Sequence, residues 1–168
     1  MLDDRFRSDP RLVRAADLMD AAQSLDDVVV ALRQTARWIV GADGIAIILR
    51  ENDFCHYVAE DAFEPLWRGC RFALHDCVSG WAMLHGETVI VPDIRRDPRV
   101  PAAPYVNKSL RSLVVVPVGE PAVAALGAYW CAMVLLDDGT VSRLEALARF
   151  AGDALARLEA AGELSRTA

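Results

Sequence analysis

The sequence has no block of lysine or arginine, no long apolar run and no paired-cysteine motif, and each gap removes a class of function. Lys and Arg number 18 against 24 Asp and Glu, giving a formal net charge of -6. A surface of that sign repels phosphate backbones and anionic lipid, so neither nucleic acid nor membrane is an expected partner. The opening MLDDRFRSDP is polar, and no stretch approaches the roughly eighteen apolar residues of a spanning helix, which makes the cytoplasm the expected compartment. The four cysteines, Cys55, Cys70, Cys77 and Cys131, show neither C-x-x-C spacing nor the density of a secreted scaffold, and read as reduced thiols. No internal repeat, low-complexity linker or second domain interrupts the chain. What is present is 168 residues, 54% of them apolar, enough for one domain with a sizeable core.

Helical spacing of Leu12, Ala16 and Met19 marks a first helix. Ser24 then caps a stronger one, with Asp26 and Asp27 in its first turn, where the helix dipole favours them. Leu25, Val28, Val29, Leu32, Ala36 and Ile39 form its apolar stripe, and Gly41–Gly44 ends it. The β-branched run Ile45–Arg50, the turn Glu51-Asn52-Asp53 and FCHYVAE predict a hairpin. CRFAL reads as a short strand, and His75-Asp76 as the cap of a helix from Cys77 to His85, closed by Gly86. Thr88–Val91 reads as a buried strand. Four prolines from Pro92 to Pro104 then mark a long connection with room for a helical turn or two. Ser112–Val118 and Val123–Val134 follow as strands around a Gly119-Glu120-Pro121 turn, and a long helix runs from Thr140 to about Glu163. The expected fold is α/β of the α+β type, with a mainly antiparallel sheet of five or six strands and helices on both faces.

The order of these pieces resembles a GAF domain: helix, hairpin, Gly80-Trp-Ala, strand, Pro92-Asp-Ile, proline-rich connection, Lys108-Ser-Leu-x-Ser, Val-Val-Pro-Val, and Gly127-Ala-Tyr-Trp130 before a final helix. The match spans roughly Ala21 to Glu159 and is most similar to GAF domains beside histidine kinases and cyclic-dinucleotide enzymes in bacterial signalling proteins. The implied organisation is an N-terminal helical extension over residues 1–20, a sensory domain over 21–163 and a tail over 164–168. The resemblance implies a cavity on one sheet face, covered by the Cys77–His85 helix and the Pro92–Ser109 connection. Trp81, Met83, His85 and Tyr105 are its expected wall, with Trp67, His75, Arg111 and Tyr129 as further ligand-binding candidates. A mostly apolar lining with a few polar handles suits a small molecule. The competing reading of Trp81 and Met83 is plain core filler.

Several specialised activities of GAF domains lack their residues here. The methionine sulfoxide reductases need a cysteine just before the covering helix's first glycine, where this chain has Ser79, and another within a segment that is cysteine-free between Asp93 and Ser112. Bilin attachment needs Cys-His where the chain reads Val106-Asn-Lys-Ser109, and adjacent Cys55-His56 on a strand would point to opposite faces. Asn107-Lys108 lies too early for the phosphodiesterase cyclic-nucleotide signature. His75, Cys77 and His85 lack the i, i+4 spacing of helical metal motifs, so no metal is expected, and the sequence identifies no cofactor.

The resulting expectation is a non-catalytic sensory or regulatory module for a signal-transduction protein such as a two-component histidine kinase. Its expected partners are a small-molecule ligand and a kinase or cyclase output domain, in cis or in trans. The alternatives are a dimerisation module with a vestigial pocket and a thiol-dependent methionine sulfoxide reductase. Leu144, Leu147, Ala151, Ala154 and Leu158 have the spacing of a coiled-coil seam. With Val141, Phe150 and Leu155 assigned to the sheet, that seam predicts a homodimer through the terminal helices.

Overall fold

The computed structural model describes residues 9–162; the end of the expected final helix at Glu163, the tail and the first residues of the N-terminal extension lie outside them. Four helices and six strands follow the predicted order: α1 (Pro10–Ala21), α2 (Leu25–Val40), β1 (Gly44–Glu51), β2 (Phe54–Ala62), β3 (Arg71–Ala73), α3 (Val78–His85), β4 (Val89–Val91), β5 (Ser112–Val118), β6 (Ala124–Trp130) and α4 (Asp138–Ala160). The strands form one sheet in the order β3-β2-β1-β6-β5-β4, and every neighbouring pair is antiparallel.

Local chemistry fixes most of these limits. Ser24 Oγ accepts the Asp27 N–H at 3.1 Å and starts α2, while Asp137 Oδ1 accepts the Thr140 N–H at 2.7 Å and starts α4 two residues earlier than predicted. Strand β6 stops at Trp130 instead of running to Val134, because its partners stop there: Tyr129 lies opposite Gly44, the first residue of β1, and Trp130 opposite Ser112, the first of β5. The next amide, Cys131 N–H, is taken by the Asp43 carboxylate at 2.8 Å.

The sheet separates two apolar cores. On one face α1, α2 and α4 pack with Ile45, Ile47, Val114, Val116, Leu126 and Ala128. Leu12, Ala15 and Met19 are buried in this core, so α1 is part of the packed layer and Ala16 sits at its edge. On the other face α3 and the loops pack with Ala46, Ile48, Leu113, Val115, Ala125 and Tyr129. Alternate residues of β1, β5 and β6 therefore feed opposite cores, as a period of two requires.

The seam argument for α4 needs correction. Leu144, Leu147, Ala151, Ala154 and Leu158 are all buried within the chain, together with Val141 and Leu155, while Phe150 is only half-buried. The helix lies between α1, α2 and β5, so it needs a wide apolar face inside its own chain and keeps no seam for a second copy.

Candidate ligand-binding site

Strand β2 delivers the first side chains of the candidate site. Cys55 and Tyr57 point into the core opposite the terminal helices, but the register with β1 shifts between Ile47 and Ile48, which sends Ala59 to the helix face. Such a bulge re-aims the strand end. It leaves Glu60 reaching over the loop to β3, where its carboxylate accepts the Leu66 N–H at 2.7 Å and the Arg68 N–H at 2.6 Å. Trp67, held between those two amides, turns inward and is buried.

The Trp67 indole is the centre of an aromatic cluster. Its ring centroid lies 5.6 Å from Tyr57, 5.0 Å from Tyr105 and 5.2 Å from Tyr129, each edge to face, and Phe72 packs on Tyr57 at 5.5 Å. The favoured geometry of aromatic quadrupoles is satisfied throughout. Nε1–H of Trp67 donates to the Pro104 carbonyl at 2.9 Å, tying the cluster to the proline-rich connection, which forms 3-10 turns at Ile94–Arg96 and Ala103–Tyr105. Burial raises the phenol pKa values of Tyr57, Tyr105 and Tyr129, so all three are neutral.

Tyr129 lies flat along its strand because Gly127 has no side chain: a Cβ there would sit 2.5 Å from Tyr129 Oη and 2.9 Å from its ring. The hydroxyl is the one buried side-chain polar atom among the described residues without a hydrogen-bond partner. Tyr57 Oη, by contrast, is 3.0 Å from Ser79 Oγ on α3.

The cap of α3 is Cys77, not the predicted His75-Asp76, which belong to a 3-10 turn over Leu74–Asp76. The Cys77 Sγ accepts the Gly80 N–H at 3.4 Å. A hydrogen bond from the Cys55 thiol, followed by the α3 amides, lowers the Cys77 pKa, while that same pairing and burial push Cys55 up. Serine can take over the capping role, whereas alanine cannot. Cys77→Ser is therefore expected to melt close to wild type, and Cys77→Ala to lose about 1 kcal/mol, a few degrees in a thermal melt.

Of the predicted site residues, the structure brings together Trp67, Met83, Tyr105 and Tyr129, all packed in the pocket-side core. Trp81 packs half-buried against the same core, stacked on the exposed His85 at 4.0 Å with the Arg99 guanidinium 5.1 Å from the Trp81 ring. His75 is exposed. Arg111 turns to Asp93, donating at 3.0 Å and holding that carboxyl below its usual range; with the Ile94 N–H to Arg111 carbonyl bond at 2.8 Å it closes the base of the connection. Tyr57, Phe72 and Cys77, with Ser79 bonded to Tyr57, share that core and were not among the predicted residues.

Between the cluster and its cover of Pro101, Pro104 and Tyr105 remains a void of about 10 Å³, no more than one water fills. Larger concavities lie elsewhere, as in the groove of 540 Å³ between α4 and the β5–β6 turn. No group of three or more His, Cys, Asp or Glu among the described residues could hold a metal ion.

The whole fold has close counterparts. The GAF domain of an Acinetobacter phosphoenolpyruvate-protein phosphotransferase superimposes with a TM-score of 0.78 at 17% identity, over 98% of this chain and 100% of that one. A free methionine-R-sulfoxide reductase from Neisseria meningitidis, solved with its substrate, gives 0.76 at 20% identity over 96% and 95%. The GAF domain of a two-component sensor histidine kinase from Bacillus halodurans gives 0.69 at 18% identity over 84% and 99%. Among curated proteins none matches the sequence. The family model described as GAF domain matches residues 22–156, and in keeping with its six-stranded antiparallel sheet between two cores the chain belongs to the GAF domain family.

Proposed function

We propose that this chain is a non-catalytic sensory module of a signal-transduction protein, taking a small molecule on the aromatic face of its sheet and reporting occupancy through its terminal helices. The observation that carries the reading is the arrangement of β1, β5 and β6, whose alternate residues line the aromatic core on one side and the α1-α2-α4 core on the other. A ligand that repacks Tyr129 on β6 acts on the same strand that holds Leu126 and Ala128 against the helices. Structural relatives from a sensor histidine kinase and a methyl-accepting chemotaxis protein fit that role, and a relative with bound biliverdin shows such a fold holding a small molecule. The output domain is a kinase or cyclase, in cis or in trans. No helix of the described residues is long and apolar enough to cross a membrane; the proposed place of action is the cytoplasm.

A thermal-shift screen of metabolites tests this. At a concentration 100 times its Kd a specific ligand stabilises by about 2.7 kcal/mol, several degrees for a domain of this size. A screen without a single shift would favour the second reading, a dimerisation module with a vestigial pocket, which the nearly filled cavity supports. Turnover of free methionine sulfoxide that disappears in Cys77→Ser would replace both by the enzymatic one.

Homodimerisation belongs to the same proposal, but with the α4 seam buried it uses the outer face of α2, where Trp38 is 75% exposed and Val30 42%. Trp38→Glu is expected to turn a dimer into a monomer in sedimentation equilibrium without lowering the melting temperature of the fold. A wild-type monomer at micromolar concentration would refute it.

A further inference from the structure

The space a ligand would need is filled by one side chain of the protein itself. Trp67 comes from the β2–β3 loop, not from the sheet, and its indole is seated by a single hydrogen bond to Pro104 O and by edge-to-face packing on three tyrosines. The loop is held by the Glu60 carboxylate through the amides on either side of Trp67, by Gly69 N–H to the Tyr57 carbonyl at 2.8 Å, and by two bonds to the connection, Ser109 N–H to Glu64 at 2.9 Å and Lys108 Nζ to the Pro65 carbonyl at 2.8 Å. One of the tyrosines against which Trp67 packs is Tyr129, whose buried hydroxyl has no partner. Buried polar groups are almost always paired, and an orphan in a well-packed core asks for an absent partner. We propose that Trp67 is a built-in occupant of the ligand seat, and that the ligand is a neutral planar aromatic or heteroaromatic molecule that displaces the indole and offers a hydrogen-bonding edge atom to Tyr129 Oη.

Each part of that description follows from the lining. The slot is flat because an indole fills it, leaving about 10 Å³. It selects neutral molecules because Tyr57, Phe72, Cys77, Val78, Tyr105 and Tyr129 supply no charged group, and a desolvated carboxylate or phosphate needs a paired cation. The nearby cations are engaged outside: Arg99 with Asp97 at 2.7 Å, Arg111 with Asp93 at 3.0 Å, and Lys108 Nζ with the Pro65 carbonyl at 2.8 Å. The edge atom is required by Tyr129, the one buried hydroxyl among the described residues without a hydrogen bond. Displacement is confined to two loops, since the Trp67 loop opens with the Pro104–Ser109 segment bonded to it while Tyr57, Tyr129 and α3 stay on regular elements.

This inference rests on the small-molecule reading of the aromatic face, and isoquinoline tests it separately. That probe is neutral at mildly alkaline pH, matches indole in size and carries one acceptor nitrogen; naphthalene is its partner without one. In Trp67→Ala the seat is open, so isoquinoline should bind about tenfold or more tighter than to wild type, where it competes with the indole. Adding Tyr129→Phe should weaken isoquinoline about tenfold, one hydrogen bond, and leave naphthalene unchanged. In protein carrying Trp38→Phe and Trp81→Phe, which keeps Trp67 and Trp130 of the four tryptophans, saturating isoquinoline should shift the emission to the red as the Trp67 ring enters water, and adding Trp67→Leu should abolish that shift. If Trp67→Ala does not fold, Trp67→Leu and the emission measurement still decide. Equal affinity for wild type and the opened seat, indifference to Tyr129→Phe, or tighter binding of an anionic isoquinoline carboxylate would overturn the proposal. A charged metabolite that stabilises wild type while Trp67 emission stays fixed would also overturn it, yet leave the sensory reading intact. A screen empty of metabolites would fail the sensory reading, while the isoquinoline arms still judge the seat.

Discussion

Gly80→Ala is expected to destabilise the protein by about 3 kcal/mol or more, lowering the melting temperature by roughly 6–12 °C, against the sign of helix propensity. In an ordinary helix the exchange stabilises by up to about 1 kcal/mol. Here the first turn of α3 abuts the backbone of the preceding 3-10 turn: a Cβ at Gly80 would lie 1.8 Å from the Leu74 carbonyl oxygen and 2.5 Å from its carbon. Backbone cannot rotate away, and Leu74 is pinned in turn by its N–H to the Asp53 carbonyl at 2.9 Å, in the β1–β2 turn. Helix α3 must therefore lift, taking Ser79 from Tyr57 and Met83 from the aromatic core. Calorimetry or a circular dichroism melt reads the effect. A variant as stable as wild type would contradict this seating of α3 over the sheet.

Leu147→Glu and Leu158→Glu are expected to cost about 4 kcal/mol or more each, a large part of the 5–15 kcal/mol that holds a typical domain together. Both leucines are fully buried between α4 and the helix-side core, and no cation there awaits a carboxylate. Removing the side chain leaves a cavity, and the charge adds its desolvation. Were these residues an interface seam, the variants would stay folded and merely separate two copies. Melting followed beside sedimentation distinguishes the outcomes: loss of the cooperative transition is expected, and a well-folded monomer would contradict the burial of α4.

What the sequence disclosed was local chemistry. Ser24 followed by Asp26 and Asp27, Gly86 after His85, and the β-branched Ser112–Val118 run are set by interactions within a few residues, and they stand where expected. The spacing of α4 likewise revealed buried positions but not what covers them, because a stripe facing α1 and α2 looks the same as one facing a second copy. Tyr57 stayed hidden for a related reason: Cys55, Tyr57 and Ala59 alternate regularly, and only the register shift against Ile47 and Ile48 shows that Ala59 leaves the face that Tyr57 keeps. Trp81 and His85 were grouped with the pocket by composition; Trp81 packs half-buried on that core, while His85, at i, i+4 spacing, stacks on it from the solvent side. Cys77 as a helix cap had no clear sequence signal, since thiols are not among the preferred capping groups.

The central claim, that the aromatic face takes a small molecule, meets its most direct test in native mass spectrometry of the freshly purified 18.4 kDa chain, with Trp67→Ala measured beside it. The account predicts a second species heavier by one small organic molecule, more abundant in Trp67→Ala, which on denaturing release proves neutral and aromatic. Only the bare chain mass in both proteins, under conditions that preserve known weak complexes, would contradict it.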